Sequence, residues 1–129
     1  MSLFNDYVSA VYTTLNAVSG LTGIISEKLT NDGTWPKIWL EDGGADDWSD
    51  KDDDGLEAII NLHIGSRYDG TKEVRSLMDK CHNALHNANL VLANSQSVLC
   101  QFLRHDIVTD SDGQTRHGIM KFRLLISEV

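Results

Sequence analysis

The feature that most constrains the fold is a pair of alternating segments near the end of the sequence. SVLCQFLRHDIV and RHGIMKFRLLI both alternate with the two-residue period of a β-strand, and the intervening TDSDGQT carries an Asp-Gly turn signal. Matching their apolar residues places Phe102 opposite Phe122 and requires a loop with an odd number of residues. A three-residue loop of Ser111, Asp112 and Gly113 fits, with the glycine supplying a positive φ. The segments are therefore predicted to form an antiparallel hairpin.

The two faces of this hairpin differ in chemistry. One face is apolar and is expected to lie inward, and it carries Val98, Cys100, Phe102, Phe122, Leu124 and Ile126. The other face is expected to contact solvent or a partner, and it carries Gln101, His105, Lys121 and Arg123.

Two more strands and two helices are predicted from the spacing of apolar residues upstream. The first helix has apolar residues at helical spacing from Phe4 to Val18, and the second has a stripe of Val74, Leu77, Met78, Cys81, Leu85 and Ala88. A loop from Asn89 to Ser95 follows this helix. PKIWLED predicts a strand with Ile38 and Leu40 on one face and Trp39 on the other, and a second strand runs from Leu56 to Ile64. The expected fold class is α+β, a mainly antiparallel four- to five-stranded sheet with two main helices packed on one face, in a single domain spanning residues 1–129.

The charge of the chain is concentrated in one segment. Residues 41–57 hold nine acidic residues and one base, Lys51, so this segment has a net charge of −8, equal to that of the whole chain. A neutral body with one anionic segment does not favour nucleic-acid binding through a basic surface. The part from about Gly43 to Asp54 is predicted to be a solvated acidic loop.

The stretch DKDDDG resembles the start of a calcium-binding loop, because Asp50, Asp52 and Asp54 occupy alternate positions before Gly55. The second half of that motif fails, since the position that should hold a bidentate glutamate is Asn61. The downstream LEAIINLHI also has the period of a strand rather than of a helix. The sequence therefore favours a solvated acidic loop over a calcium site.

Cysteine and histidine residues give no clear reactive site. Cys81 and Cys100 lie among apolar residues and are expected to be buried free thiols. His82 and His86 have the four-residue spacing of two zinc ligands on a helix, but the helical pattern places them toward the solvated edge of the apolar stripe. Each of the other histidines stands alone in the sequence and is expected to face solvent or a subunit boundary: His63, His105 and His117.

Other functional classes find little support. No apolar run reaches the length of a membrane span, and no secretion signal is present, so a soluble, unexported chain is expected. No glycine-rich phosphate loop or nucleophile elbow occurs, and the aspartate run lacks the burial that shifts a catalytic carboxylate. An enzyme is the least favoured class, and no cofactor or metal is expected.

The order of elements and the hairpin resemble the tail-completion, or tail-terminator and head-to-tail joining, proteins of long-tailed bacteriophages and prophages. The most specific part is DSDGQTRHGIMKFR, from Asp110 to Arg123, which is similar to that family's D-x-D-G-x-T-R-H-G pattern and following strand. PKIWLED and LHIGSR are weaker matches, in which Lys37 and Gly65 replace aromatic residues.

The resemblance implies a structural virion protein of the tail and neck, without catalytic residues. The same resemblance implies a homo-hexameric ring that would terminate the tail tube, contact the tail tube protein and a head-completion or neck protein, and let DNA pass without sequence-specific binding or membrane contact. The alternative is a small cytosolic domain that binds a metal or ligand through the acidic loop. The candidate interface residues are Trp48, Asp50, Asp52, Asp53, Asp54, Arg116, His117, Lys121 and Arg123.

Overall fold

The computed structural model of this chain describes residues 3–26, 33–49, 54–92 and 97–127. These residues form two α-helices and a six-stranded sheet. The elements are α1 (Leu3–Asn16), β1 (Ile25–Ser26), β2 (Lys37–Asp47), β3 (Gly55–Ser66), α2 (Lys72–Leu85), β4 (Ala88–Val91), β5 (Ser97–Thr109) and β6 (Arg116–Ser127). Neither helix is long and apolar enough to cross a membrane.

The strand order is β1-β2-β3-β6-β5-β4, with β1 and β2 parallel and every other pair antiparallel. The α+β class is confirmed, but the expectation of four or five strands is wrong, because the sheet has six and is mixed. The two missed strands are the edge strands β1 and β4, of 2 and 4 residues. Such short segments contain too few residues to show a two-residue period.

Both helices pack on the same face of the sheet, as expected. α1 contacts β1, β2 and β4, and α2 contacts β3, β5 and β6. The strand residues that these helices bury alternate along each strand, and include Ile38, Leu40, Ile60, Leu62, Ile64, Cys100, Met120, Phe122, Leu124 and Ile126. The inward position of the apolar hairpin face is therefore confirmed, and the odd-numbered side chains of β3 and β6 point to the opposite face.

The second helix is shorter than its apolar stripe suggests. It ends at Leu85, His86 adopts an extended conformation, and Asn87 has a φ of 58°, which turns the chain into β4. Ala88 is therefore the first residue of β4 and not part of the helix, and the predicted loop from Asn89 begins within this strand. Ala88 still packs against the core, which explains why it fits the apolar stripe.

The register of the β5–β6 hairpin is confirmed where Phe102 pairs with Phe122, but it changes further along the strands. A β-bulge at Leu103 shifts the pairing, so that Arg104 lies opposite Lys121 and Thr109 opposite Arg116. The three-residue loop is therefore wrong, because the turn spans residues 110–115. Gly113 has the expected positive φ, 73°.

The same bulge places His105 on the helix side of the sheet, opposite Met120, and not on the polar face as expected. An inserted residue reverses the facing of every later side chain in a strand. The sequence has no pattern that marks this insertion, because Leu103 and its neighbours are compatible with either face.

The acidic segment is largely a second long hairpin rather than the predicted loop from Gly43 to Asp54. β2 continues to Asp47, which pairs with Leu56 of β3, through a bulge between Asp42 and Ala45. Gly44 in this bulge has a φ of 93°, and a Cβ at Gly43 would lie 2.7 Å from Ile59 Cγ2. The two glycines therefore permit the bulge and do not end the strand.

Candidate functional site

The face of the sheet opposite the helices is the candidate functional site. We call it the outer face. No described helix covers it, and the side chains that β3 and β6 place on it are half-buried by their neighbours. These side chains are Glu57, Ile59, Asn61, His63, His117, Ile119, Lys121, Arg123 and Leu125. A mixed apolar and charged surface of this kind is suited to contact with another protein.

Three basic residues form a cationic patch on the outer face, at the β5–β6 side. They are Arg104, Lys121 and Arg123, and Arg104 lies directly opposite Lys121 in the register. Arg123 donates a 2.6 Å hydrogen bond to Gln101 Oε1, while its Nε is buried without a hydrogen-bond partner. Lys121 and Arg123 therefore face outward as expected, and no described carboxylate pairs with either of them.

An acidic hairpin, made of the described residues 41–49 and 54–57, lies at the β2–β3 side of the sheet. Asp46 and Glu57 are directly opposite each other on the outer face. Trp48 is 50% exposed, and its backbone N–H donates a 2.9 Å hydrogen bond to the Gly55 carbonyl. Asp54 is exposed, whereas Asp50, Asp52 and Asp53 lie outside the described residues.

The position of β3 also tests the hypothesis that this segment is a calcium-binding loop. Asn61, at the position where a calcium loop needs a glutamate, is a strand residue that donates a 3.3 Å hydrogen bond to Glu41. The described elements that precede and follow the aspartate run, β2 and β3, are strands and not helices. The geometry on either side of the aspartate run is therefore that of a β-hairpin.

Two histidines that stand far apart in the sequence are neighbours on the outer face. His63 Nδ1 lies 2.7 Å from His117 Nε2, and His63 Nε2 lies 3.2 Å from Glu41 Oε1. His117 Nδ1 is 3.5 Å from Asp110 Oδ1. Trp39 stacks on His63, with ring centroids 5.2 Å apart and an interplanar angle of 8°. These histidines stand alone in the sequence, and the pairing of β3 with β6 brings them together on the outer face.

The environment of His117 favours its neutral form. Burial lowers its pKa below the ordinary 6.5, and the neighbouring His63 lowers it further, while Asp110 and Glu41 act in the opposite direction. Sequence reasoning selected His117 but missed Trp39, Glu41 and Asp110 as its neighbours. Strand alternation places the first two on the outer face, but only the register of β2, β3 and β6 shows that they meet.

The turn that carries the DSDG signature is held by its own side chains. Asp112 accepts 2.8 Å hydrogen bonds from the backbone N–H groups of Gln114 and Thr115, and a 2.6 Å bond from the Thr115 hydroxyl. These bonds lower the pKa of Asp112 to about 2. Arg67 Nη2 lies 3.7 Å from the same carboxylate. The motif therefore fixes the conformation of the turn.

Arg116, another candidate interface residue, is engaged near this turn. Its Nη1 donates a 3.0 Å hydrogen bond to the Gln114 carbonyl, and its Nη2 lies 3.8 Å from Asp69 Oδ1. It lies opposite Ser66 in β3 and is half-buried. The structure thus separates Arg116 from Lys121 and Arg123, which belong to the cationic patch.

A groove of about 450 Å³ lies on the helix side, between α2 and the β5–β6 hairpin. His82 and His105 line it, and His86 stacks on His82 with ring centroids 4.8 Å apart. Among the described residues, no group of three or more histidine, cysteine or acidic side chains could hold a metal ion. The acidic loop through which the rival function would bind a metal or ligand includes residues 50–53, which lie outside the described residues.

Both cysteines are buried free thiols, as expected. Burial raises the pKa of Cys81 and of Cys100 to about 12, so neither is a thiolate at neutral pH. These thiols have the character of core residues and not of nucleophiles.

The family of the chain follows from its sequence as a whole. Residues 9–127 match the family model described as Tail completion protein gp17. This chain belongs to the tail completion protein gp17 family. It is therefore a structural protein of a bacteriophage-type virion, located in the tail, and membership indicates a non-enzymatic role.

A solved structure titled as the virion of a native gene transfer agent (GTA) particle contains a chain with a similar fold. The two chains are 19% identical, each is covered over 98% of its length, and the TM-score is 0.82. At this level of identity the similarity establishes the fold shared by the tail completion protein and that chain. No protein of curated function matches the sequence.

Proposed function

We propose that this tail completion protein assembles as a ring of six copies that terminates the tail tube and joins the tail to the head. The observation that carries the proposal is the family match over residues 9–127. The similar chain in the gene transfer agent virion supports it, because that chain belongs to an assembled particle and has the same fold over 98% of its length. Six is the number of copies that the sequence resemblance implies.

The surfaces of the protein are compatible with this assembly. Its apolar strand faces are already used by its own helices, so contacts between subunits fall to the outer face, the strand edges and the hairpins. A closed ring requires two different surfaces on each subunit that fit each other. The candidate surfaces are the cationic patch with His117, and the acidic hairpin with Trp48.

The partners follow from the place of such a ring. One side of the ring contacts the tail tube protein, and the other contacts a head-completion or neck protein. DNA passes through the opening without sequence-specific binding. Any negative side chains that border the opening would repel DNA phosphates within a Debye length, about 8 Å at physiological salt.

Deletion of the gene tests the proposal. The expected phenotype is tails of uncontrolled length, or tails without heads, measured by negative-stain electron microscopy of lysates. Expression of the wild-type chain from a plasmid is the control and should restore uniform tails joined to heads. Tails of normal length that are joined to heads in the deletion strain would overturn the proposal.

A further inference from the structure

The outer face carries two pairs of like charges that oppose each other across neighbouring strands. Asp46 lies directly opposite Glu57, and Arg104 lies directly opposite Lys121. Like charges in this position destabilise a sheet. The exposed 2.6 Å ion pair of Arg104 with Asp106 offsets part of one repulsion, while no described base pairs with Asp46 or Glu57.

Arg123 adds an unsatisfied donor to the basic side. Its Nε is buried and has no hydrogen-bond partner in the described part of the chain. A buried polar group without a partner is unfavourable. The terminal nitrogens of its guanidinium can donate to a carboxylate from outside the subunit, because their only side-chain partner in the described residues is the neutral Gln101 amide.

These charges are distributed unevenly across the sheet. The acidic hairpin lies on β2 and β3, and the cationic patch lies on β5 and β6, so the outer face is negative on one side and positive on the other. A two-fold contact through either side would place like charges together. A head-to-tail contact would instead place the acidic side of one copy beside the basic side of the next.

We propose that the acidic hairpin of one copy packs against the cationic patch of the next copy, and that this contact closes the ring. Asp46 and Glu57 then lie near Lys121 and Arg123 of the adjacent subunit, and both like-charge repulsions are relieved together. Half-buried apolar residues around the patch, Ile119 and Leu125, supply area that excludes water from these charges. The inference rests on the proposed ring and adds which surfaces meet in it.

Charge exchange in the deletion strain tests the contact. Lys121→Glu with Arg123→Glu should reduce the yield of joined particles roughly tenfold or more, and Asp46→Lys with Glu57→Lys should do the same. All four substitutions together restore the original complementarity and should recover most of the yield. The matched control for the first pair is Lys72→Glu with Arg75→Glu on α2, which lowers the net charge as much as Lys121→Glu with Arg123→Glu, lies on the other side of the sheet and should have no effect.

Circular dichroism of each purified variant separates loss of assembly from loss of folding. Folded charge variants that give normal yields would overturn the contact. The contact would also be overturned if both double variants fold but give few joined particles, and the variant with all four substitutions does not recover the yield. If instead the deletion strain itself makes normal tails, the ring function fails and not merely this contact.

A disulfide cross-link gives an independent test that does not depend on yield. In purified tails that carry Asp46→Cys with Lys121→Cys, oxidation should link neighbouring copies into a ladder on a non-reducing gel. The native Cys81 and Cys100 are buried with pKa values raised to about 12 and do not compete. Each single variant should give no ladder. Dimers from Asp46→Cys alone would show a two-fold contact and overturn the head-to-tail arrangement.

Discussion

His63 Nδ1 and His117 Nε2 lie 2.7 Å apart, and a carboxylate flanks the other nitrogen of each ring. Two neutral rings have two N–H groups between them, and one of these must lie in the bond that joins the rings. The remaining N–H can therefore face Glu41 or Asp110, but not both. One additional proton would supply the missing donor, whereas a second would place two N–H groups against each other.

The two carboxylates favour that additional proton, but burial and the neighbouring charge outweigh them at His117, and the stability of the protein therefore depends on pH. Because burial and His63 lower the pKa of His117 below 6.5, the folded state binds fewer protons there than the unfolded state just below that pH. The stability that the neutral His117 contributes to the folded protein is therefore complete above pH 6.5. It is lost as the pH falls through the lower pKa that His117 has in the folded state. One such group gives a slope of at most about 1.4 kcal/mol per pH unit.

His117→Gln should reduce this slope, because the amide can still contact His63 but does not titrate. Urea unfolding of both proteins from pH 5 to pH 8 measures it, and the difference at pH 8 reports the lost packing alone. If the slopes of the two proteins between pH 5 and pH 6.5 are equal, the pKa of His117 is not lowered in the folded state.

Phe122→Ala tests which face of the hairpin forms the core. Phe122 is 1% exposed and packs edge-on against Phe102, with ring centroids 5.6 Å apart. Its truncation should lower the free energy of unfolding by about 3–5 kcal/mol. Leu125→Ala is the control. Because Leu125 is a half-buried residue of the outer face, its truncation should lower the free energy of unfolding clearly less. Denaturant melts in which Phe122→Ala loses less than Leu125→Ala would mean that the two faces are reversed.

The long elements could be predicted from the sequence because their apolar periods are complete. Both helices, the strands β2, β3, β5 and β6, and the pairing of Phe102 with Phe122 follow from counting alone. Bulges could not be predicted in this way. The insertion at Leu103 moved His105 to the helix side, and the Gly43–Gly44 bulge kept β2 in the sheet where glycine and aspartate predict a loop.

The candidate site was predictable only in part for a related reason. Alternation predicted that Lys121 and Arg123 lie on the same outward face of one strand, and the structure places them there. Which residues lie beside them depends on the order of the strands and on their register, and both arise from contacts between distant segments. The His63–His117 pair and the opposition of Asp46 to Glu57 therefore became visible only in the folded chain.

Gly65, where the family resemblance leads one to expect an aromatic residue, is covered by the ring of Trp35. The side chains of Lys37 and Arg67 lie over this ring, with Lys37 Nζ 4.5 Å and Arg67 Cζ 4.7 Å from its centroid. A Cβ at position 65 would overlap the indole. Gly65→Ala should therefore displace Trp35 and lower the free energy of unfolding by about 1–3 kcal/mol.

A double-mutant cycle identifies the cause of that loss. In a Trp35→Ala background the overlap no longer exists, so adding Gly65→Ala should have little further effect. Thermal or urea melts of the four proteins provide the measurement. An equal loss from Gly65→Ala in both backgrounds would assign the effect to the backbone of β3 and not to the indole.

Trp48 provides the last prediction, because it is a large apolar side chain that the folded subunit leaves 50% exposed. It directly follows β2, and Ala would keep its backbone hydrogen bond to Gly55. Trp48→Ala should therefore change the free energy of unfolding by less than about 1 kcal/mol. If Trp48 is buried between subunits, its loss should weaken joining by roughly tenfold or more, since tryptophan is frequent among residues that dominate binding energy.

Tyr68→Ala is the matched control for this prediction. Tyr68 is 53% exposed and follows Ser66 at the opposite end of β3, so its loss should affect neither unfolding nor joining. Yields of joined particles from the deletion strain, complemented with each variant, provide the comparison. Loss of joining in Tyr68→Ala alone would move the contact to the other end of the sheet. Normal joining in both variants would mean that the charges of the acidic hairpin, without Trp48, are sufficient for the contact.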